Sequence, residues 1–176
     1  MPKSAGAPIS YTTPWDTILM MALPAGAQAG DWQVVATSDD RRALLTYAAG
    51  EAVSYSFACT PTEVIVTQTG VTKLLDLRTG APIGDDAKAI MPEGAALMAL
   101  FSGKGEPQFL PAEAAKNPVT GWDLTIRLPL ADKQIKAAAK SQMLSLFTTG
   151  YTMAVPMDAA ARAKWSEFLQ KCNIAK

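Results

Sequence analysis

From Asp31 to Thr60 apolar and polar residues alternate with a period of two. Successive side chains of an extended strand point to opposite faces, so this pattern predicts antiparallel strands with one face buried. Trp32, Val34 and Ala36 share one face of a first strand, and Ser38-Asp39-Asp40-Arg41 is turn material. Ala43 to Ala48 returns as a second strand, which Gly50 ends. In the third, Val53, Tyr55, Phe57 and Cys59 alternate with Ser54, Ser56 and Ala58, so Cys59 is expected to point into the core before Thr60-Pro61-Thr62 closes the strand. Glu63–Thr69 and Val71–Arg78 read as two further strands about Gly70, with a tight hairpin or a bulged bend between them and Leu75 and Leu77 facing inward.

Between Thr79 and Gly121 prolines and glycines break the pattern and predict connecting material. Within it Ala95–Phe101 is a buried strand or a short helix, and PAEAAKN from Pro111 reads as a helical turn or two with Pro at an allowed first position. Alternation resumes at Trp122, Leu124, Ile126 and Leu128, against Asp123, Thr125 and Arg127. Leu130–Gln142 then has helical composition, with Asp132 as its cap and Lys133, Lys136 and Lys140 along one side. Leu144, Leu146 and Thr148, a Thr149-Gly150 turn, and Tyr151, Met153 and Val155 predict a hairpin that Pro156 ends. Asp158 is placed to cap a last helix whose apolar stripe is Ala161, Trp165, Phe168, Leu169 and Cys172.

These elements sum to a mainly β (α+β) fold: a single β-sandwich or curved antiparallel sheet of about eight strands with a C-terminal helix packed on it. The domain would span residues 30–176, a length at which folding buries roughly 70% of the extended-chain surface. The composition, 49% hydrophobic and 18% charged, supplies a packed core.

Charge and rare residues narrow the chemistry. The formal net charge is zero, which removes the long-range field that would draw the molecule to nucleic acid. The sum hides an asymmetry, because residues 1–120 hold 8 basic and 12 acidic side chains and residues 121–176 hold 8 and 4. Attraction between the two parts of the fold, or a basic docking surface on the second, would follow. There is no histidine, so Ser-His-Asp, Cys-His and His-zinc sites are excluded. Two cysteines without a C-x-x-C spacing suit one structural disulfide between Cys59 and Cys172, both on inward faces.

No residue is assigned to catalysis, to a metal or to a cofactor. Asp39-Asp40 and Asp85-Asp86 lack the D-x-D-x-D-G frame of a calcium loop, and Ser102-Gly103-Lys104-Gly105 lacks the G-x-x-x-x-G-K-[ST] of a phosphate loop. All three read as turns. Trp32, Trp122 and Trp165 fall on core faces rather than in a binding groove. The remaining candidates for a binding surface are Lys133, Lys136 and Lys140 on one helix face, together with Lys104 and Glu106 in a proline-rich loop over 103–118.

Residues 1–29 read as an export leader. Ile18 to Leu23 is a short apolar core, and Ala27-Gln28-Ala29 before Gly30 supplies the small-x-small pattern of a cleavage site. The leader is irregular, since Lys3 is its one early cation and Asp16 precedes the apolar core. That core is also far shorter than the 18 or more residues of a membrane-spanning helix, so the mature chain is expected to have no transmembrane segment.

The opening GDWQVVATSDD with its cysteine-bearing strand, and the closing AAAKSQMLSLFTTGYTMAVPMDAAARAKWSEFL, resemble the first and last segments of the exported bacterial proteins called invasion-associated locus B. That family tends to place a cysteine in the first strand, where this chain has Val35-Ala36-Thr37. The resemblance implies a periplasmic or surface-exposed β-sandwich without catalysis, and it transfers no functional residue. The expected role is thus an exported, periplasmic or secreted, non-enzymatic protein that binds another protein or an envelope component. An inhibitor of a secreted hydrolase, presenting the 103–118 loop, is the alternative, and a carboxylate-dependent hydrolase the third.

Overall fold

The computed structural model describes residues 30–35, 37, 41–49, 52–83, 90–119, 121–148 and 151–174. Expectations for the leader, Ala36, Ser38-Asp39-Asp40, Gly50, Asp85-Asp86, Thr149-Gly150 and the side chains of Val53 and Tyr151 lie outside the described residues. The nine strands are β1 (Asp31–Val35), β2 (Ala43–Ala49), β3 (Ala52–Cys59), β4 (Glu63–Val71), β5 (Ile90–Phe101), β6 (Leu110–Asn117), β7 (Gly121–Pro129), β8 (Met143–Thr148) and β9 (Tyr151–Pro156). Among the described residues two helices accompany them, α1 (Lys133–Ala138) and α2 (Ala159–Lys171). The strands form one antiparallel sheet in the order β1-β2-β3-β4-β7-β6-β5-β8-β9, curled into a half-barrel. Of the two predicted forms, the curved sheet is the one adopted.

Strand alternation decides what the concave face holds. Trp32, Tyr47, Tyr55, Gln68 and Leu124 are register partners in one row across β1, β2, β3, β4 and β7, and all are buried. The helix α2 closes this face. Trp165 is fully buried and stands edge-on to Phe57 at 4.7 Å and to Trp32 at 5.8 Å between ring centroids, the tilted geometries that aromatic quadrupoles favour. Its indole N–H donates to the Ile135 carbonyl at 2.9 Å, which fastens α2 to α1. Trp122 is buried as well, so the three described tryptophans serve the core.

Both helices start where their caps allow. The Asp132 carboxylate accepts from the Gln134 and Ile135 N–H groups, and Asp158 accepts from Ala161, satisfying donors that the first helical turn leaves open. At the end of α2, Asn173 adopts φ 55°, the Ile174 N–H returns to the Leu169 carbonyl and the Asn173 N–H to Gln170. This stops the helix and leaves Cys172 inside, bonded to Cys59 across 113 residues. Both cysteines are fully buried.

Three expectations are corrected. Val71–Arg78 is not a strand: β4 runs through a bulge at Gly70, φ 77°, and ends at Val71. The following segment is a loop with one isolated bridge, Leu75 to Pro82. The bulge makes Val71 the last inward residue, and because the chain leaves the sheet there strand alternation no longer applies: the loop buries Leu74, leaves Leu75 half-buried and exposes Leu77. Second, PAEAAKN is not helical but belongs to β6, with Ala112 and Ala114 buried and Pro111, Glu113 and Ala115 exposed. Pairing on both sides overrides the helical propensity of Ala, Glu and Lys. The loop read over 103–118 therefore shrinks to 102–109. Third, the helix read over Leu130–Gln142 is only α1, and Lys140 lies in the turn beyond it.

The hairpin between β6 and β7 depends on Gly121. Its φ is +114°, and a Cβ there would stand 2.7 Å from the Val71 carbonyl oxygen, so the position excludes a side chain.

The 72–83 loop is held by Asp76, whose carboxylate takes the Arg78 guanidinium at 2.8 and 3.1 Å and the Arg78 N–H at 2.9 Å. These bonds hold the Asp76 carboxyl below its ordinary pKa of 3.8. A depressed folded pKa stabilises the loop above the ordinary value and ceases to do so as pH falls through the folded one. The Leu77 N–H, which donates to Ala95 at 3.1 Å, is expected to report the loss in an NMR titration with a midpoint below 3.8. D76N should abolish that titration; a midpoint at or above the ordinary value would contradict the assignment.

Candidate functional site

On β8 the even-numbered residues Leu144, Leu146 and Thr148 point inward, which turns Phe147 outward. Across the β5 ladder Ala99 pairs with Phe147 and Phe101 with Ser145, so the two phenylalanines are diagonal neighbours on the outward face, 5.9 Å between centroids. Ala99 and Ser145 are buried although they also point outward, as small residues flanked by large rings are. Phe109 completes the cluster at 6.4 Å from Phe147 and remains 49% exposed.

Phe109 comes from the 102–109 loop, which is tied at its root. The Gln134 side chain accepts from the Ser102 N–H at 2.8 Å and from its hydroxyl at 2.6 Å. It also donates to the Lys104 carbonyl at 2.8 Å. On the other side the Ser141 hydroxyl lies 2.6 Å from the Ser102 carbonyl. Because Gln134 sits in the first turn of α1, capped by Asp132, the helix fixes the loop. Lys104 and Glu106 are exposed on it.

The outward surface continues from Phe109 through Leu110 and Pro111 into a cleft of about 410 Å³. Met91, Leu110 and Ile126 border it on the side of the core, and Pro111, Glu113, Thr125 and Arg127 stand at its outward rim. It lies where two strands part. The β6–β7 ladder runs from Asn117↔Gly121 to Glu113↔Thr125, whereas β5 stays paired to β6 as far as Leu110 and β4 to β7 as far as Pro129. Pro111 supplies a cause, since it has no N–H to give a ladder. At the rim Arg127 is bound to Glu63 at 2.6 Å, and the Thr125 and Thr67 hydroxyls share a hydrogen bond of 3.1 Å. Glu113 has no hydrogen bond or ion pair among the described residues.

Of the residues singled out in the sequence, Lys104 is brought to the first turn of α1 by the bond from Gln134 to its carbonyl, on the helix that carries Lys133 and Lys136, and Glu106 is exposed on the same loop. Lys133 and Lys140 are exposed and Lys136 is half-buried. None of them belongs to the aromatic cluster or lines the cleft. Sequence reasoning did not find either feature, although Thr125 and Arg127 already stood on the polar face of their strand. Among the described residues there is no group of three or more Cys, Asp or Glu side chains able to hold a metal ion, and no helix long and apolar enough to cross a membrane. No family model matches the chain, and neither a curated protein nor a solved structure matches it.

Proposed function

We propose that this is an exported, periplasmic or secreted, binding protein of a bacterial envelope that engages a protein partner, without chemistry, through the outward face of β8, β5 and β6. The observation that carries the reading is the cluster Phe101, Phe109 and Phe147, held at the surface by the Gln134-clamped loop. Phe109 is exposed and Phe101 and Phe147 are half-buried beside it, and aromatic rings on a rigid support give large contact area at little cost in conformational entropy. The compartment rests on the buried Cys59–Cys172 disulfide, a bond that persists in oxidising surroundings. The resemblance to invasion-associated locus B proteins points the same way.

The test is site-specific photocrosslinking in intact host cells, with the probe at position 109 and a control at Val119, which is 88% exposed but at the opposite end of β6 from Phe109. A discrete adduct at 109 that disappears in F147A, and is absent at 119, is the expected result. Equal labelling at both positions, or none at 109, would contradict the assignment. Inhibition of a secreted hydrolase is a second reading, favoured by the way Gln134 and Ser141 immobilise the 102–109 loop. It requires that the crosslinked partner be a hydrolase and that the purified protein, but not Q134A, inhibit it.

A further inference from the structure

We propose that the cleft between β6 and β7 receives an extended peptide segment of the partner, with its main chain along the open edge of β7 and a basic side chain on Glu113. This deepens the reading of the outward face as a binding surface and rests on it. Three observations converge.

The first is backbone valence. Past Thr125 the ladder to β6 has ended, yet β7 continues in strand conformation to Pro129. Alternate residues of an antiparallel strand direct their N–H and C=O groups to alternate sides, so those of Ile126–Leu128 that turn away from β4 face the cleft with no ladder partner on β6 among the described residues. An extended peptide supplies the groups that such an edge lacks, which is how strand addition works.

The second is charge. Arg127 at the rim is neutralised by Glu63, while Glu113 has no partner among the described residues. The site therefore carries a net negative charge and selects a cation. The third is shape: about 410 Å³ with an apolar floor of Met91, Leu110 and Ile126 suits a short chain segment with apolar neighbours to its basic residue. The cleft also adjoins Phe109 through Leu110 and Pro111, so one partner segment can cover both.

The experiment uses the oxidised, isotopically labelled full chain and three probes: the blocked pentapeptide TVKVT, its analogue TVEVT, and n-butylamine. Adding TVKVT should shift the amide resonances of Ile126, Arg127 and Leu128. E113Q, a change at an exposed position, should weaken TVKVT about tenfold while leaving the free spectrum folded, because a charged hydrogen-bond partner is lost. TVEVT should bind more weakly than TVKVT. If n-butylamine binds as tightly as TVKVT, the cleft recognises a cation alone and the peptide proposal is overturned. If shifts are confined to Phe101, Phe109 and Phe147, the cleft proposal fails while the binding face stands; if no probe moves any resonance, the cleft proposal fails and the crosslinking result decides the binding face separately.

Discussion

Replacing both cysteines, C59A with C172A, is expected to lower the unfolding free energy by about 5 kcal/mol on the chain-entropy model for a loop of this length. The bond spans 113 residues, so in the unfolded chain it removes the freedom of most of the domain. Its location adds to that. Cys59 ends β3 and Cys172 caps α2, both fully buried, so the bond ties the closing helix to the sheet it covers. Arg42 reaches the Cys172 carbonyl at 3.4 Å, but one long hydrogen bond does not replace a covalent tie. Chemical denaturation of the oxidised protein and the double variant measures the difference. A loss below about 1 kcal/mol would mean that α2 holds its place without the bond.

Truncating Trp165 to Ala in the oxidised protein should cost about 3–5 kcal/mol, the range for emptying a large aromatic site in a packed core. The side chain is fully buried against Trp32, Phe57 and Phe168, so its loss leaves a void that three rings line. The indole N–H also leaves the Ile135 carbonyl without its partner, which loosens α1. W165F separates the two contributions. It retains most of the packing and loses the hydrogen bond, for which about 1 kcal/mol is expected. Equilibrium denaturation of both variants tests the order; equal losses for Phe and Ala would show that the hydrogen bond, rather than the ring, carries the effect. Because α1 anchors the 102–109 loop through Gln134, W165A should also increase hydrogen exchange at the Ser102 amide, whose bond to Gln134 is 2.8 Å.

Much of this closure was readable in the sequence. Cys59, Tyr55 and Phe57 fell on one face because strand parity allows no other choice, and Ala161, Trp165, Phe168, Leu169 and Cys172 on one helical stripe; all eight are buried. Asp132 and Asp158 were recognised as caps, since a carboxylate before a helical pattern has few competing uses. What stayed hidden depended on neighbours far away in the chain. Ala112 and Ala114 carry a strand pattern too faint to outweigh the helical preference of PAEAAKN until β5 and β7 pair with it. Leu74 is buried and Leu77 exposed because the chain leaves the sheet after Val71, and strand alternation has no hold on the loop that follows. The aromatic cluster joins Phe101, Phe109 and Phe147 through the β5–β8 register, and the cleft exists because two ladders continue where a third ends. No local pattern encodes either.

The central claim, a disulfide-closed binding protein at work outside the cytoplasm, is tested most directly by the thiol state of the native protein. Cells of the native host are quenched in acid, alkylated and analysed by mass spectrometry of the intact chain. The account requires a species with Cys59 and Cys172 unalkylated until reductant is added. Two alkylated cysteines in most of the native molecules would contradict it, removing the oxidised closure and with it the argument for compartment.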